Sequence, residues 1–135
     1  MNDQETIEND KLAAKFQDLL IHELQSRGVH FTKATAENFS NVNIDVHIYI
    51  EDWGLPIFMY IGIGRLKHRI LSNITLEDYV KGYVELELRE LKASVEYTIK
   101  ENSDLLARDT QWTESYKRSL EERLQSARKI ASWLT

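Results

Sequence analysis

The sequence predicts an α+β fold with an N-terminal helix, a three-stranded and mostly antiparallel sheet, a long helix and a C-terminal helix. Three observations lead to this fold class. Apolar residues recur at a helical period near the N-terminus, three short segments between residues 29 and 63 have the character of strands, and neither Gly nor Pro occurs after Gly82. With 135 residues and a hydrophobic share of 42%, we expect one domain. Residues 1–74 form its helix and sheet, and residues 75–135 form a helical arm.

The first helix is predicted from about residue 6 to residue 27, because its apolar residues lie three and four positions apart. They form one stripe, which must pack against another element. Gly28 follows the stripe and can adopt the left-handed conformation that ends many helices. The β-branched residues 29–36 then predict a first strand, and the polar residues 37–43 predict a loop.

The second and third strands are predicted at residues 44–50 and 57–63. Residues 44–50 alternate strictly between isoleucine or valine and polar residues, which is typical of a strand with one buried face. Gly54 and Pro56 mark the hairpin connection between the two strands. Residues 57–63 are apolar on both faces, which predicts a strand at the centre of the sheet or one covered on both sides.

The helical arm is predicted to begin at Thr75, since Thr75 and Asp78 resemble a capping box. A seam with four-three spacing continues from there as far as Leu105. The favoured break lies at residues 108–111, where Asp109 or Thr110 could cap a second helix that has its own apolar stripe. The two stripes predict a helical hairpin within one chain or a dimerisation arm that pairs with a second chain, and the hairpin is favoured.

The composition restricts the functional classes. The formal net charge is −5 and the chain has no cysteine, so nucleic acid is not an expected partner and thiol chemistry is excluded. The N-terminal residues are polar and acidic, unlike a signal peptide, and no apolar run approaches the roughly 20 residues that span a bilayer. We therefore expect a cytoplasmic protein with no membrane partner and no cofactor.

One group of polar side chains is a candidate ligand site. Asp45, His47 and Tyr49 lie on one face of the second strand, where His47 could act as a general base. Together with Tyr60 of the third strand and Tyr83 of the long helix, they could line a pocket between the sheet and that helix. The other interpretation is the solvated face of an antiparallel sheet, and no metal site is predicted.

Two further segments are candidates for binding a protein partner. Trp53 and Leu55 are large apolar residues at the tip of the predicted hairpin connection, and tryptophan is a frequent interface anchor. The equal alternative is that Trp53 folds back over the edge of the sheet. Arg65, Lys67 and Arg69 form a basic run that could bind a phosphate, RNA or an acidic partner.

The element order is similar to the core order of the PD-(D/E)xK nucleases over residues 10–100, with Glu23, Asp45 and Arg65 in corresponding segments. That family has an acidic residue, a spacer and a lysine where this chain has Gly62-Ile63-Gly64. The resemblance therefore implies at most an inactive relative without the paired carboxylates that hold Mg²⁺. The same tripeptide lacks the third glycine of the dinucleotide fingerprint, and no helix is expected to open directly at it. Residues 65–72 are expected to form a basic connection or a single helical turn.

The sequence therefore favours a non-enzymatic protein that binds another protein, as inhibitors, immunity proteins, chaperones and adaptors do. Its acidic surface and helical seam are expected to supply the contacts. A homodimer through the C-terminal helices remains open. The alternative is a protein that acts on a small molecule or a nucleic acid, including a degenerate nuclease-like fold, with its pocket between the sheet and the long helix.

Overall fold

The computed structural model describes residues 3–108 and 111–134. Its elements are α1 (Asp3–Ser26), β1 (Phe31–Phe39), β2 (Asn43–Ile50), β3 (Ile57–Gly62), α2 (Ile63–Leu71), α3 (Leu76–Ala107) and α4 (Glu114–Trp133). This order confirms the predicted α+β fold class. No helix within the two described ranges has both the length and the apolar character that crossing a membrane requires.

The first strand is longer than the sequence predicts, and it includes part of the predicted loop at residues 37–43. The turn into β2 is short because Ser40 and Asn41 adopt positive φ angles of 53° and 60°. The side chain of Asn38 donates a hydrogen bond to Asn41 Oδ1 at 2.9 Å, and Asn41 Nδ2 donates to Thr6 Oγ1 of α1 at 2.9 Å. The polar run therefore forms a tight turn that is fastened to the first helix.

The sheet is antiparallel throughout, in the order β1-β2-β3. β3 therefore lies at an edge, and the predicted central or doubly covered position is wrong. Its outward-facing side chains, Phe58 and Tyr60, are 40% and 61% exposed. The strand is apolar on both faces because two aromatic residues occupy its solvent side.

The residues after β3 form a helix. Gly62 is the N-cap residue of α2, with φ −62° and ψ 122°, so the expectation that no helix opens directly at Gly62-Ile63-Gly64 is wrong. Ile63 and Leu66 are buried and attach α2 to the core, which leaves its basic residues on the solvent side.

The hydrophobic core lies on one side of the sheet. Inward-facing strand residues such as Ile44 and Val46 are buried there together with the apolar stripes of α1 and α3. Phe16 of α1 packs edge-on against the rings of Tyr79 and Tyr83 of α3, with centroid distances of 6.3 and 6.0 Å. These contacts place α1 and α3 side by side on the same face of the sheet.

The predicted start of the helical arm is confirmed. Thr75 is the N-cap of α3, and its hydroxyl oxygen accepts a hydrogen bond from the backbone N–H of Asp78 at 3.0 Å. The second helix is capped by Thr113, later in the chain than the sequence predicts. The predicted caps, Asp109 and Thr110, lie outside the described residues.

α4 packs back along α3, which gives the predicted helical hairpin. Four α4 side chains are buried within this single chain: Leu120, Leu124, Ala127 and Ile130. Trp112 lies in the connection and donates a hydrogen bond from Nε1 to the carbonyl oxygen of Leu105 at 2.8 Å. The apolar seam of the arm therefore needs no second chain to cover it.

Candidate functional site

The side of the sheet that faces away from the helices forms a surface that we call the outer face. Its side chains come from alternate positions of the three strands and are aligned by the strand register. They include Lys33, Thr35, Glu37 and Phe39 of β1, Asp45, His47 and Tyr49 of β2, and Phe58 and Tyr60 of β3.

Four rings of the outer face form one aromatic cluster. The centroid of the His47 ring lies 4.4 Å from that of Phe58 and 6.3 Å from that of Tyr49. Phe58 in turn meets Tyr60 edge-on at 4.5 Å. The three members of the cluster other than His47 are all exposed. Contiguous exposed apolar surface of this kind marks interaction sites on soluble proteins.

The outer face is acidic beside Tyr60. Glu37 lies directly opposite Asp45 across β1 and β2, and Asp45 lies opposite Tyr60 across β2 and β3. Like charges at opposite positions of an antiparallel pair destabilise a sheet. In addition, Asp45 Oδ1 is buried without a hydrogen-bond partner. The arrangement is therefore not the one that stability alone would favour.

The predicted pocket residues divide into two groups. Asp45, His47, Tyr49 and Tyr60 are together on the outer face. Tyr83 is 7% exposed. It lies on the other side of the sheet from these four residues, where its ring packs against Phe16 of α1. The five residues therefore do not line one pocket between the sheet and the long helix.

Tyr83 and Glu87 are polar groups buried on the helical side of the sheet. Tyr83 Oη and Glu87 Oε1 both lack hydrogen-bond partners. The pKa of Tyr83 is raised well above its usual value, mainly by burial and to a smaller extent by the nearby Glu87 carboxylate. The pKa of Glu87 is also raised, mainly by burial and to a smaller extent by the charge of Glu90. Both groups belong to the interior of the helical layer.

Trp53 and Leu55 lie beside a groove between the β2–β3 connection and the helical hairpin. The groove has a volume of about 890 Å³ and is also lined by Thr98 of α3 and Arg123 of α4. Trp53 is half-buried against the core, whereas Leu55 is 75% exposed. Trp53 thus contributes to the fold, and Leu55 is the member of this pair that solvent reaches.

The predicted basic run lies on α2, next to the C-terminal end of β3. Arg65 and Arg69 are exposed and Lys67 is half-buried. These three residues therefore lie beyond the end of the edge strand and are not part of the outer face.

The residues that correspond to PD-(D/E)xK positions are not assembled into a metal site. Glu23 lies on α1 and accepts a hydrogen bond from Arg27 Nε at 2.7 Å, while Asp45 lies on the opposite side of the sheet. Arg65 is on α2. Within residues 3–108 and 111–134, no group of three or more His, Asp or Glu side chains could hold a metal ion.

Comparison with known proteins returned no protein-family model, no curated protein and no solved structure that matches this chain. The β1 residues of the outer face and Phe58 are not among the candidates that the sequence predicts. Glu37 fell in a predicted loop, and Phe58 was assigned to a covered strand. The signal for Phe58 is its position two residues before Tyr60, which puts both on one face of a strand.

Proposed function

We propose that this chain is a non-enzymatic protein that binds another protein through the outer face of its sheet. The observation that supports this proposal is the exposed aromatic cluster on a side of the sheet against which no described helix packs. Tyrosine and other aromatic residues are enriched in protein interfaces. They offer a large contact area at a low cost in side-chain entropy.

The charges beside the cluster indicate which partner surface fits. A lysine or arginine of the partner would lie close to the Glu37 and Asp45 carboxylates and over the face of the Tyr60 ring. Apolar side chains next to that basic residue would cover Phe58. The partner is therefore a polypeptide surface with a basic residue flanked by apolar ones.

Nucleic acid fits the same face less well. Sheets that bind RNA also present aromatic side chains for stacking on bases, but their affinity depends on positive charge near the phosphates. The outer face carries two carboxylates, those of Glu37 and Asp45, against one lysine, Lys33. The whole chain has a formal net charge of −5. Electrostatics therefore favours a protein partner.

The proposed contact surface replaces the helical seam that the sequence predicts. The seam is buried between α3 and α4, whereas the outer face is accessible. Inhibitor, immunity, chaperone and adaptor proteins all act by such contacts, and the proposal covers this class. Because the chain has no cysteine, we also propose that it acts in the reducing cytoplasm.

The test compares two tyrosines of similar exposure. Tyr60, on the outer face, is 61% exposed, and Tyr97, on α3, is 67% exposed. A partner is first isolated with the wild-type chain, and its dissociation constant is then measured for Tyr60→Ala and Tyr97→Ala. We expect Tyr60→Ala to weaken binding about thirtyfold, the effect of losing an interface anchor of about 2 kcal/mol, and Tyr97→Ala to leave binding unchanged.

Equal effects of the two substitutions, or no effect of Tyr60→Ala, would contradict the proposed surface. Isolation of a nucleic acid in place of a protein would contradict the proposed partner class. Thermal unfolding of both variants serves as the control, because an exposed tyrosine should contribute little to stability.

A further inference from the structure

The two edge strands of the sheet differ in whether side chains of a helix bind to them. At β1, the Gln17 side chain of α1 accepts a hydrogen bond from the backbone N–H of Ala36 at 3.0 Å. Asn38 of the same strand donates to Asp10 of α1 at 2.9 Å, and the register shifts near the start of the strand. Side-chain caps, irregular register and covering helices are the means by which proteins prevent unwanted strand pairing.

β3 forms the other edge, and its pairing with β2 shows no register shift. Its residues, Ile57–Gly62, include no charged side chain and no proline. β2 is the strand hydrogen-bonded to it, and no further strand follows in the part of the chain that the structure describes. An uncharged, aromatic edge strand of this kind is a template for pairing with another strand.

One hydrogen bond fixes the direction of the backbone groups of β3. The N–H of Ile63 donates to the carbonyl oxygen of Val42, which precedes β2, at 2.9 Å. In a strand, the N–H and C=O groups of successive residues point to opposite sides. The N–H and C=O groups of the odd-numbered residues of β3 therefore point towards β2. The N–H and C=O groups of Phe58 and Tyr60 therefore point to the free edge. They offer two donors and two acceptors.

The residue types of β3 are symmetrical about Met59. An aromatic residue stands on each side of it, Phe58 and Tyr60, and an isoleucine stands beyond each of them, Ile57 and Ile61. If two copies pair antiparallel about Met59, Phe58 of one copy lies opposite Tyr60 of the other. In this register the outward-facing groups exchange four hydrogen bonds, and each aromatic pair gains a favourable cross-strand contact.

We propose that β3 pairs with β3 of a second copy of this chain about a two-fold axis at Met59. The two three-stranded sheets then form one continuous antiparallel sheet. The outer faces of the two copies lie on the same side of that sheet and form one surface. Such an interface is isologous, the commonest form of association between identical chains. The inference does not depend on the proposed function, because the dimer is measured on this chain alone, with no partner protein present.

The charges at the ends of β3 favour the antiparallel arrangement. Arg65 and Arg69 of α2 follow its C-terminal end, and Glu51 and Asp52 precede its N-terminal end. Antiparallel pairing brings the basic end of one copy towards the acidic end of the other. Parallel pairing would bring like charges together.

The size of the contact sets the expected affinity. We expect a contact between two six-residue strands to bury less than roughly 1,200 Å², the lower limit of standard-size interfaces. We therefore expect a dissociation constant in the micromolar range, on the order of 10 μM.

The experiment follows the full-length chain across roughly three decades of concentration by sedimentation velocity, which brackets a dissociation constant in this range. Phe58→Lys places a charge at the paired edge, and Tyr60→Pro removes an edge N–H while leaving the β2 side intact. We expect each to weaken the dimer at least about tenfold. Thr35→Lys is the matched control, since it places the same charge on the outer face at a position of β1 away from the β3 edge, and it should still dimerise.

Hydrogen exchange of the wild-type chain gives a second measurement that needs no variant. The amides of Phe58 and Tyr60 should become protected as concentration rises, whereas the amide of Met59 should be protected at every concentration. A wild-type chain that stays monomeric throughout would overturn the proposal. So would a dimer in which the Phe58 and Tyr60 amides exchange freely, or one that Phe58→Lys and Tyr60→Pro leave unchanged.

Discussion

The two faces of the sheet are built from alternate residues of the same strands, yet only one of them is closed. On β2, Ile44, Val46 and Ile48 are buried under the helices, while the intervening His47 and Tyr49 remain accessible. The closed face supplies the apolar burial that holds the fold together. The open face carries aromatic side chains and the opposed carboxylates of Glu37 and Asp45. The difference separates residues that determine stability from residues available for binding.

The largest expected effect comes from the closed face. Ile48 is 1% exposed, so Ile48→Ala should lower the free energy of unfolding by about 3 kcal/mol through lost burial and a new cavity. The adjacent Tyr49 faces the other way, and Tyr49→Ala should cost less than about 1 kcal/mol. Urea denaturation of both variants measures the two values. Equal losses of unfolding free energy would mean that the outer face is covered as well, so that the two faces do not differ.

A pH-dependent effect is expected from the polar group on the helical side. The raised pKa of Glu87 means that the folded chain binds this proton more tightly than the unfolded chain. Its contribution to stability therefore falls as the pH rises from the usual carboxyl range through the raised pKa. We expect Glu87→Gln to increase the free energy of unfolding at neutral pH and to give no such gain in acid, where the wild-type carboxyl is already protonated.

The control for this prediction is Glu96→Gln, because Glu96 lies on the same helix and is exposed. Denaturation of the wild type and both variants across the pH range would measure the difference. A gain that is constant with pH, or a similar gain for Glu96→Gln, would show that the charge of Glu87 is not its cause.

The smallest expected effect on stability belongs to the outer face. Glu37→Lys replaces a like-charge pair with an opposite-charge pair across from Asp45, which should stabilise the fold by about 0.5 kcal/mol. The same change should weaken binding of a basic partner surface. The stability gain should shrink in high salt, because screening reduces interactions between exposed charges. Glu121→Lys, at an exposed position of α4, controls for the change in net charge.

A Glu37→Lys variant that is both less stable and equally able to bind would contradict this view of the outer face. A variant that is more stable and binds less well would sharpen it. In that case the carboxylates are retained for recognition at a measurable cost to the fold.

Local patterns predicted the elements well where one interaction determines them. The alternation at residues 44–50 corresponds to β2, and the Thr75 cap begins α3 as predicted. The predictions were wrong where the same local pattern is compatible with different surroundings. The polar residues 37–43 could form a loop, but a side-chain network between Asn38 and Asn41 extends β1 and closes a short turn.

The candidate site was predicted only in part, for a similar reason. The β2 residues Asp45, His47 and Tyr49 were found because strand alternation assigns them to one face. Tyr83 was assigned to the same pocket, since the sequence does not show on which side of the sheet a helix packs. The apolar pattern of residues 57–63 predicts a central or covered strand, although Phe58 belongs to the exposed cluster.

Local sequence patterns predict the long helices and the strands that carry the core, and which of their side chains share a face, but they miss helix α2 and the end of β1. The predicted features depend on spacing along the chain and on contacts between near neighbours. The folded structure alone shows which face the helices cover, which strands lie at the edges, and that the two arm helices pack on each other. These outcomes depend on contacts between residues far apart in sequence, and an apolar stripe specifies that it must be covered without specifying by what.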